Sequence, residues 1–216
     1  RLVPLAGRRT LLDVGGAPGT WSIALAQRHT GLRVTLMDNA ETVEHSKSVL
    51  GQFSVSKQVR VKAAPWREKG FGTHEYEALL LSRLMVSTDG STLTQLMRAH
   101  EALKSHGMVI VHTYLLDNDM NGSGEASFRY LMQDTCTLEQ LVSLLEESGF
   151  ERVAVLHRHS TEGDLLVGYK ENEPLLQEPE ELVEVVTPEL ALAGAGPSDY
   201  DEDVLLATHR RAWSGR

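Results

Sequence analysis

The sequence is short of cysteine, of aromatic residues and of long apolar stretches. Cys136 is the single cysteine, so it can form neither an internal disulfide nor a cysteine-rich zinc site, and we expect no metal centre. No apolar run approaches the roughly 18 to 20 residues that cross a bilayer, which excludes a membrane-spanning helix. We therefore expect an intracellular protein in a reducing compartment. The cytoplasm is the default, and a mitochondrial location is the alternative because the sequence begins at Arg1 rather than Met.

An excess of basic residues is also absent, since the formal net charge is −9. Residues 171–203 contain eleven Asp and Glu and no Lys or Arg, whereas residues 1–170 carry eighteen basic against nineteen acidic groups. The nearly neutral part offers no electrostatic footprint for nucleic acid. We predict a main domain over residues 1–170 and an acidic, proline-containing extension over residues 171–216. The extension is interpreted as a solvated tail, with a protein-binding arm over residues 171–203 as the alternative.

Short apolar runs alternate with longer amphipathic stretches, which predicts an α/β domain with a mainly parallel sheet. One helix places Leu93, Leu96 and Met97 on an apolar stripe and is expected to stop at Gly107. The last two extended runs are joined by a short polar loop and predict an antiparallel hairpin. The predicted strands are Thr10–Val14, Arg33–Met37, Val59–Lys62, Ala78–Ser82, Met108–His112, Arg152–Leu156 and Asp164–Tyr169. The clearest predicted helices are Thr20–His29, Thr92–Lys104 and Leu138–Ser148.

A glycine-rich turn is the most informative segment of the sequence. Residues 13–19 leave the first predicted strand, turn on three glycines and enter the first predicted helix. Gly15 and Gly19 lack the Cβ where a ligand would pass, and the helix directs its free N–H groups at that ligand. Asp38 ends the second predicted strand, where a carboxylate accepts the hydroxyl groups of a ribose. A nicotinamide dinucleotide and S-adenosylmethionine both fit this pattern.

Two details favour S-adenosylmethionine. A dinucleotide fingerprint has the spacing G-x-G-x-x-G, whereas the glycines here stand at 15, 16 and 19. An acid just before the glycines suits a sulfonium cofactor with an amino group better than it suits a pyrophosphate. The alternative is that Asp13 only caps the turn and that Asp38 only begins the next loop. The predicted cofactor residues are Gly15, Gly16, Ala17 and Gly19 for the methionine part, Asp13 for the amino group, Asp38 for the ribose, and Trp66 for the adenine unless it packs in the core.

Several motifs extend the pattern beyond the turn. They are Asp13–Gly16, Arg33–Asn39, Val43–Lys47, Leu81–Arg83, Glu101–Lys104, Leu115–Asp117 and Leu144–Phe150. With these motifs, roughly residues 8–170 resemble the class I S-adenosylmethionine-dependent methyltransferases, and most of all the hydroxyindole and plant-type small-molecule O-methyltransferases. The resemblance implies a Rossmann-like domain with a seven-stranded sheet whose final strand is antiparallel. That sheet agrees with the hairpin predicted from the residues.

The family's acid-base residues do not all have counterparts in this sequence. The resemblance implies a catalytic His within a His-Asp-Trp sequence after the fourth strand, but residues Val86–Thr88 stand there. The acidic partner of that base, expected at the end of the fifth strand, aligns with His112. The acid expected after the third strand is replaced by Ala63 and Ala64. The resemblance therefore implies the fold and the cofactor more directly than the reaction.

Three interpretations of this departure stay open. His112 takes over as the base, with the acceptor entering near Met85, Val86, His112 and Tyr114, or else His112 is a core residue. A second interpretation is an acceptor that needs little base catalysis, such as an acidic phenol, a thiol or an activated carbon. The third is a catalytically inactive methyltransferase fold that serves binding or assembly in a larger protein or ribonucleoprotein complex.

A second likeness concerns the turn alone. Residues Ala17–Ser22 are similar to the loop of the ribosomal RNA 2′-O-methyltransferases, which imply a catalytic Lys-Asp-Lys set. Residues Leu81–Ser87 contain no Asp, and residues Val109–Thr113 contain no Lys. A small-molecule acceptor is therefore favoured over nucleic acid.

Overall fold

The computed structural model of the chain describes residues 3–83, 90–117, 135–159 and 162–170. Seven strands and five helices lie in these ranges. They are β1 (Thr10–Val14), α1 (Thr20–Arg28), β2 (Arg33–Asp38), α2 (Ala40–Leu50), β3 (Val59–Ala63), α3 (Trp66–Lys69), β4 (Tyr76–Ser82), α4 (Ser91–Ala102), β5 (Leu103–Thr113), α5 (Leu138–Glu147), β6 (Arg152–His157) and β7 (Asp164–Tyr169). The predicted boundary at residue 170 and the extension over 171–216 lie at and beyond the end of the described part.

The strands form one sheet in the order β3-β2-β1-β4-β5-β7-β6. The first five strands pair in parallel, and β7 lies antiparallel between β5 and β6. The predicted α/β fold, with seven strands and an antiparallel final strand, is thereby confirmed. From β1 the chain adds β2 and β3 on one side of the sheet, and then β4 and the later strands on the other side of β1. The direction in which strands are added therefore reverses between β1 and β4. Ligands of open α/β sheets bind at such a switch point, outside the carboxyl ends of the strands.

Helices cover both faces of the sheet. The central strands are apolar at nearly every position, so the side chains on each face must be buried. Leu11 and Leu12 in β1 are fully buried, and they belong to the two separate core clusters. The first cluster includes Leu96 of α4 and Leu141 of α5, whereas the second includes Ile23 of α1. Thus α1 covers the opposite face from α4 and α5, and side chains that alternate along a strand point to one face or the other.

The prediction for α4 was wrong at its end and in part of its buried face. The helix ends at Ala102, and Leu103 pairs directly with Tyr76 of β4, so the sheet rather than Gly107 terminates the helix. The next pair in the ladder is Ala78 with Met108, which leaves extra residues in β5 between the two pairs. A Cβ at Gly107 would lie 2.8 Å from the carbonyl oxygen of Lys104, so glycine permits this irregularity. Met97, predicted on the apolar stripe, is 55% exposed.

A buried lysine holds the end of α4. The Nζ of Lys170 donates to the carbonyl oxygens of His100 at 2.9 Å and Leu103 at 2.8 Å, and its backbone N–H donates to Gly107. The residue is only 6% exposed. A cation at a helix C-terminus satisfies carbonyls that the helix leaves without partners, and it interacts favourably with the helix dipole. The last described residue therefore fixes the junction between α4 and β5.

Among the described residues, none of the five helices combines the length and the hydropathy of a membrane-spanning segment.

Replacing Lys170 by Met should lower the free energy of unfolding by about 2 to 3 kcal/mol, because charge-assisted hydrogen bonds to buried carbonyls are lost. Chemical denaturation measures this difference. The matched control is Lys47→Met on α2, since Lys47 is exposed and its one ion-pair partner in the described part of the chain is the exposed Glu44. That change should cost no more than about 0.5 kcal/mol. Equal losses in the two variants would contradict the role given to Lys170.

Candidate functional site

The glycine turn lies at the switch point of the sheet. Gly15 follows β1, and its N–H donates to the carbonyl oxygen of Met37 in β2 at 2.8 Å. Gly15 has φ 63° and Gly19 has φ 114°, a backbone conformation that residues with a Cβ rarely adopt. Gly19 then caps α1, whose first N–H groups face the carboxyl edge of the sheet. The turn is therefore built from backbone conformations that glycine permits, as the sequence predicts.

Asp13 lies beneath this turn and is completely buried. Its Oδ2 accepts a hydrogen bond from Ser22 Oγ at 2.7 Å, while its Oδ1 has no hydrogen-bond partner among the described residues. Burial raises the pKa of Asp13 to about 6, a rise that the hydrogen bonds from Ser22 oppose. A Cβ at Gly16 would lie 2.5 to 2.7 Å from three atoms of the Asp13 carboxyl group. Gly16 is thus glycine because the acid occupies its side-chain space.

Asp38 ties the turn to the end of β2. Its Oδ2 accepts from the N–H of Ala17 at 3.1 Å, and its Oδ1 accepts from the N–H of Asn39 at 2.7 Å. The residue is 7% exposed. Each carboxylate oxygen can accept a second hydrogen bond. The structure therefore brings Asp38 to the glycine turn, and its carboxylate already helps to hold that turn in place.

The structure explains the glycine at position 19 by packing, whereas the sequence predicted close approach of a ligand. A Cβ at Gly19 would lie 3.2 Å from the Cδ1 of Leu36 and 3.4 Å from the Cδ2 of Leu50. The absent side chain therefore faces the apolar core between the sheet and α2, rather than a space through which a ligand passes. Close packing of the turn against the core and the positive φ both require glycine here.

Trp66 begins α3, immediately after β3, and is 4% exposed. Its ring packs beside Phe71 with the centroids 6.5 Å apart, and the guanidinium of Arg67 lies 4.6 Å from the ring centroid. The ring is therefore a member of the first core cluster, as the packing alternative predicts. Its Nε1 is buried without a partner in the described part of the chain. Stacking of Trp66 on an adenine stays a prediction.

His112 lies at the end of β5, in register with Ser82 at the end of β4. Its Nδ1 is 2.9 Å from Ser82 Oγ, and its Nε2 is 2.8 Å from the carbonyl oxygen of Glu162. Burial lowers the pKa of His112, and the positive charge of Arg83 adds to this effect, whereas the hydrogen bond to Glu162 opposes it. The imidazole is consequently neutral at neutral pH and available to accept a proton.

An indole and an arginine flank this histidine. Trp21 in the first turn of α1 meets the imidazole edge to face, with the centroids 5.2 Å apart and the rings at 73°. Arg83 Nη2 donates to Tyr114 Oη at 3.1 Å, and the Arg83 N–H donates to the carbonyl oxygen of His112. Trp21 is 39% exposed. The contact between Trp21 and His112 joins the glycine turn to the ends of β4 and β5 in one site.

The connection between β6 and β7, which supplies the Glu162 carbonyl, is anchored by ion pairs. Arg158 Nε donates to Asp164 Oδ1 at 3.1 Å, and Arg158 also pairs with Asp117. The other oxygen of Asp164 accepts from the N–H of Leu115 at 2.7 Å. Burial raises the pKa of Asp164, and the charge of Arg158 opposes the rise. This network fixes the start of β7 against the end of β5.

The structure brings Asp13, Gly15, Gly16, Ala17, Asp38 and His112 to the carboxyl edge of the sheet, whereas the missing side chain of Gly19 faces the core and the ring of Trp66 lies in the core. Of the predicted acceptor region, Met85 and Val86 lie outside the described residues, as do Ser87 and Thr88. The sequence patterns did not predict Ser22, Ser82, Trp21 or Glu162 as site residues. The signal for Ser82 was available, because the ends of two neighbouring parallel strands meet at one edge.

The residues present fit a cofactor that carries an amino group, a sulfonium and a ribose. The buried, unpartnered Oδ1 of Asp13 is suited to a cationic group, because a buried anion without a partner is unfavourable until a positive charge reaches it. The free lone pairs of Asp38 are suited to hydroxyl groups. A pyrophosphate would be repelled by both carboxylates.

Comparison with known proteins places this geometry among methyltransferases. The family described as the O-methyltransferase domain matches residues 1–159. The L-tyrosine C(3)-methyltransferase of Streptomyces lavendulae is 24% identical over 121 residues, which are 56% of this chain and 33% of that protein. The 3-hydroxy-5-methyl-1-naphthoate 3-O-methyltransferase of Streptomyces sahachiroi is 26% identical over 126 residues, 58% of this chain and 36% of that protein. The chain thus spans about a third of the length of these curated relatives.

Solved structures share the fold. Human N-acetylserotonin methyltransferase in complex with S-adenosylmethionine superposes with a TM-score of 0.66 and 21% identity, covering 79% of this chain and 50% of that one. An O-methyltransferase family 2 protein from Planctomyces limnophilus in complex with apigenin gives a TM-score of 0.68 at 21% identity, covering 78% and 53%. At these identities the likeness shows the fold.

Gly16→Ala should destabilise the protein by about 1 to 3 kcal/mol, because the new methyl group overlaps the Asp13 carboxyl group. Gly31→Ala is the control, since apart from Gly31 and its two chain neighbours no described residue has an atom within 4 Å of a Cβ there. In an Asp13→Ala background the cost of Gly16→Ala should shrink, and a double-mutant cycle of unfolding free energies measures this coupling. Additive effects would show that the carboxyl group does not fill the space of the missing side chain.

The pKa of Asp13 also predicts a pH dependence of stability. A folded pKa of about 6 above an unfolded value of 3.8 means that the native state holds this proton more tightly. The stabilisation is complete below about pH 3.8 and is lost as the pH rises through about 6, a difference of about 3 kcal/mol. Asp13→Asn should therefore gain stability relative to the wild type between pH 4 and 7. Denaturation curves that stay parallel over this range would contradict the burial of an ionisable acid.

Proposed function

We propose, because this chain belongs to the O-methyltransferase domain family, that it binds S-adenosylmethionine and methylates a hydroxyl group or a similar acceptor on a small molecule. The observation that carries the proposal is the glycine turn, with Asp13 Oδ1 buried beneath it without a partner among the described residues, followed by α1, whose Trp21 contacts the imidazole of His112. Cofactor site and candidate base meet at one edge of the sheet. The names of the relatives support a small-molecule acceptor, since both describe methylation of compounds with an aromatic ring.

The cofactor residues have separate roles in this proposal. Asp13 Oδ1 holds the cationic amino group, while Gly15, Gly16 and Ala17 supply the close backbone of the turn. Asp38 accepts the ribose hydroxyl groups. When bound, the cofactor supplies an electrophilic methyl group on a sulfonium sulfur.

The residues of the chain bind the acceptor and remove the proton from its hydroxyl group. Positioning an acceptor against a bound methyl donor replaces a bimolecular encounter, which lowers the barrier by several kcal/mol. His112 then accepts the proton that the acceptor oxygen loses. Its low pKa keeps it neutral and competent at neutral pH, and general-base catalysis of this kind contributes about 10²- to 10⁴-fold.

A second function is favoured by a specific observation in the sequence. Residues Val86–Thr88 replace the His-Asp-Trp sequence that the family resemblance implies. The second proposal is therefore a catalytically inactive methyltransferase fold that serves binding or assembly in a larger complex. The acidic residues 171–203 would be its protein-binding arm. An intact cofactor site is compatible with both proposals, whereas loss of that site is compatible only with the second, so binding and turnover must be measured separately.

Isothermal titration with S-adenosylhomocysteine tests cofactor binding. The wild type should bind, and Asp38→Ala should bind at least about tenfold more weakly, because hydrogen bonds to a charged acceptor are lost along with the tether to Ala17. Glu44→Gln is the matched control, because Glu44 is an exposed acid on α2 and should leave the affinity unchanged. Absence of binding at millimolar cofactor would refute both activity and an intact cofactor site.

Turnover is tested with a panel of acceptors taken from the relatives: a hydroxynaphthoate, L-tyrosine and N-acetylserotonin. His112→Gln should lower kcat by about 10²-fold or more while the affinity for S-adenosylhomocysteine stays the same. A wild type that binds the cofactor and methylates none of them would favour the inactive fold. Unchanged kcat in His112→Gln would remove the base role from this residue.

A further inference from the structure

The ends of β4 and β5 hold two polar side chains in direct contact. Ser82 pairs with His112 in the parallel ladder, so both side chains point to the face of the sheet that α1 covers. Ser82 Oγ lies 2.9 Å from His112 Nδ1. A hydroxyl group that is hydrogen-bonded to a neutral imidazole can transfer its proton to the ring nitrogen.

The surroundings of the imidazole assign its tautomer. His112 Nε2 lies 2.8 Å from the carbonyl oxygen of Glu162, and a carbonyl can only accept a hydrogen bond. The Nε2 therefore carries the proton and donates it. In the neutral ring Nδ1 is left with a lone pair, so Ser82 Oγ–H must be the donor in the second bond. The proton-accepting atom of His112 is consequently the one that Ser82 covers.

Access to His112 is restricted on its other sides. His112 as a whole residue is 7% exposed, and Trp21 packs edge to face against the ring. A Cβ at Gly163 would lie 3.1 Å from Nε2, which shows how closely the loop before β7 approaches. Ser82 is more exposed than His112, and its Oγ is hydrogen-bonded to Nδ1. Because Ser82 already contacts Nδ1, a proton can reach this nitrogen through Ser82 Oγ.

We propose that Ser82 is a second catalytic residue, which takes the proton from the acceptor hydroxyl and passes its own proton to Nδ1 of His112. This inference rests on the proposed methyl transfer. In the step, the acceptor O–H proton moves to Ser82 Oγ while the Ser82 proton moves to Nδ1. The acceptor oxygen forms its bond to the methyl carbon as the carbon–sulfur bond breaks, and that electron pair stays on sulfur. The imidazolium later releases its proton to water.

The charged groups around His112 have opposing effects on its protonated form, and Nε2 faces a neutral carbonyl rather than a carboxylate. Arg83 at the end of β4 and His157 at the end of β6 disfavour the imidazolium, whereas Asp164 at the start of β7 favours it. The Glu162 carbonyl stabilises the charged ring through the Nε2 hydrogen bond. The imidazolium is thus transient, and the ring returns to the neutral form that accepts the next proton.

Two variants of Ser82 separate a relay from a structural role. Ser82→Ala removes the hydroxyl group, whereas Ser82→Thr keeps a hydroxyl group on Cβ. With the most active acceptor of the panel above, Ser82→Ala should lower kcat by about 10- to 100-fold with little change in KM. Ser82→Thr should recover most of that loss. The affinity for S-adenosylhomocysteine, measured by titration, should be the same in all three proteins.

Nitrogen-15 NMR of the imidazole provides a readout that needs no turnover. The wild type without cofactor should show His112 as the Nε2–H tautomer, with a shift at Nδ1 in Ser82→Ala and none in a Ser48→Ala control on α2. A wild type with the Nδ1–H tautomer would overturn the relay.

The outcomes of these experiments separate the two proposals. An active wild type whose Ser82→Ala variant keeps its kcat would overturn the relay and leave methyl transfer standing. A wild type that binds S-adenosylhomocysteine but methylates no acceptor would overturn methyl transfer and the relay with it. Loss of kcat in Ser82→Ala with recovery in Ser82→Thr and unchanged cofactor affinity would establish the relay.

Discussion

The carboxyl group of Asp13, buried beneath the glycine turn, is the constraint on which the cofactor site depends. Its space excludes any side chain at Gly16, and its hydrogen bond to Ser22 fixes the start of α1. Burying an acid costs free energy, and the raised pKa expresses that cost. The Oδ1 of Asp13 has no hydrogen-bond partner among the described residues, and in the proposed function it accepts the cationic amino group of the cofactor.

The second half of the site follows from the topology of the sheet. Because β4 and β5 are parallel neighbours, Ser82 and His112 end at the same edge and on the same face as α1. The antiparallel β7 begins at that edge too, which brings the Glu162 carbonyl to the imidazole. The antiparallel ending of the sheet is thus more than a family trait. It supplies the group that orients the candidate base.

The sequence predicted most of the fold because the signals were local. The apolar run of β1 was predicted with its observed bounds, and the hairpin of β6 and β7 followed from two extended runs and a polar loop. The end of α4 was missed, because pairing of Leu103 with Tyr76 depends on a strand distant in sequence. Of the site, Asp13 and Asp38 came from spacing around the turn. Contacts such as Trp21 with His112 and Glu162 with His112 depend on how separate elements pack together, which a pattern along the chain does not contain.

A crystal structure of the chain grown with S-adenosylhomocysteine tests the central claim most directly. The account predicts that the amino group of the ligand lies within hydrogen-bond distance of Asp13 Oδ1, that its ribose hydroxyl groups face Asp38, and that its sulfur points toward Ser82 and His112. A ligand bound elsewhere, or one whose ribose and amino group contact neither acid, would contradict the account even if the fold were the same.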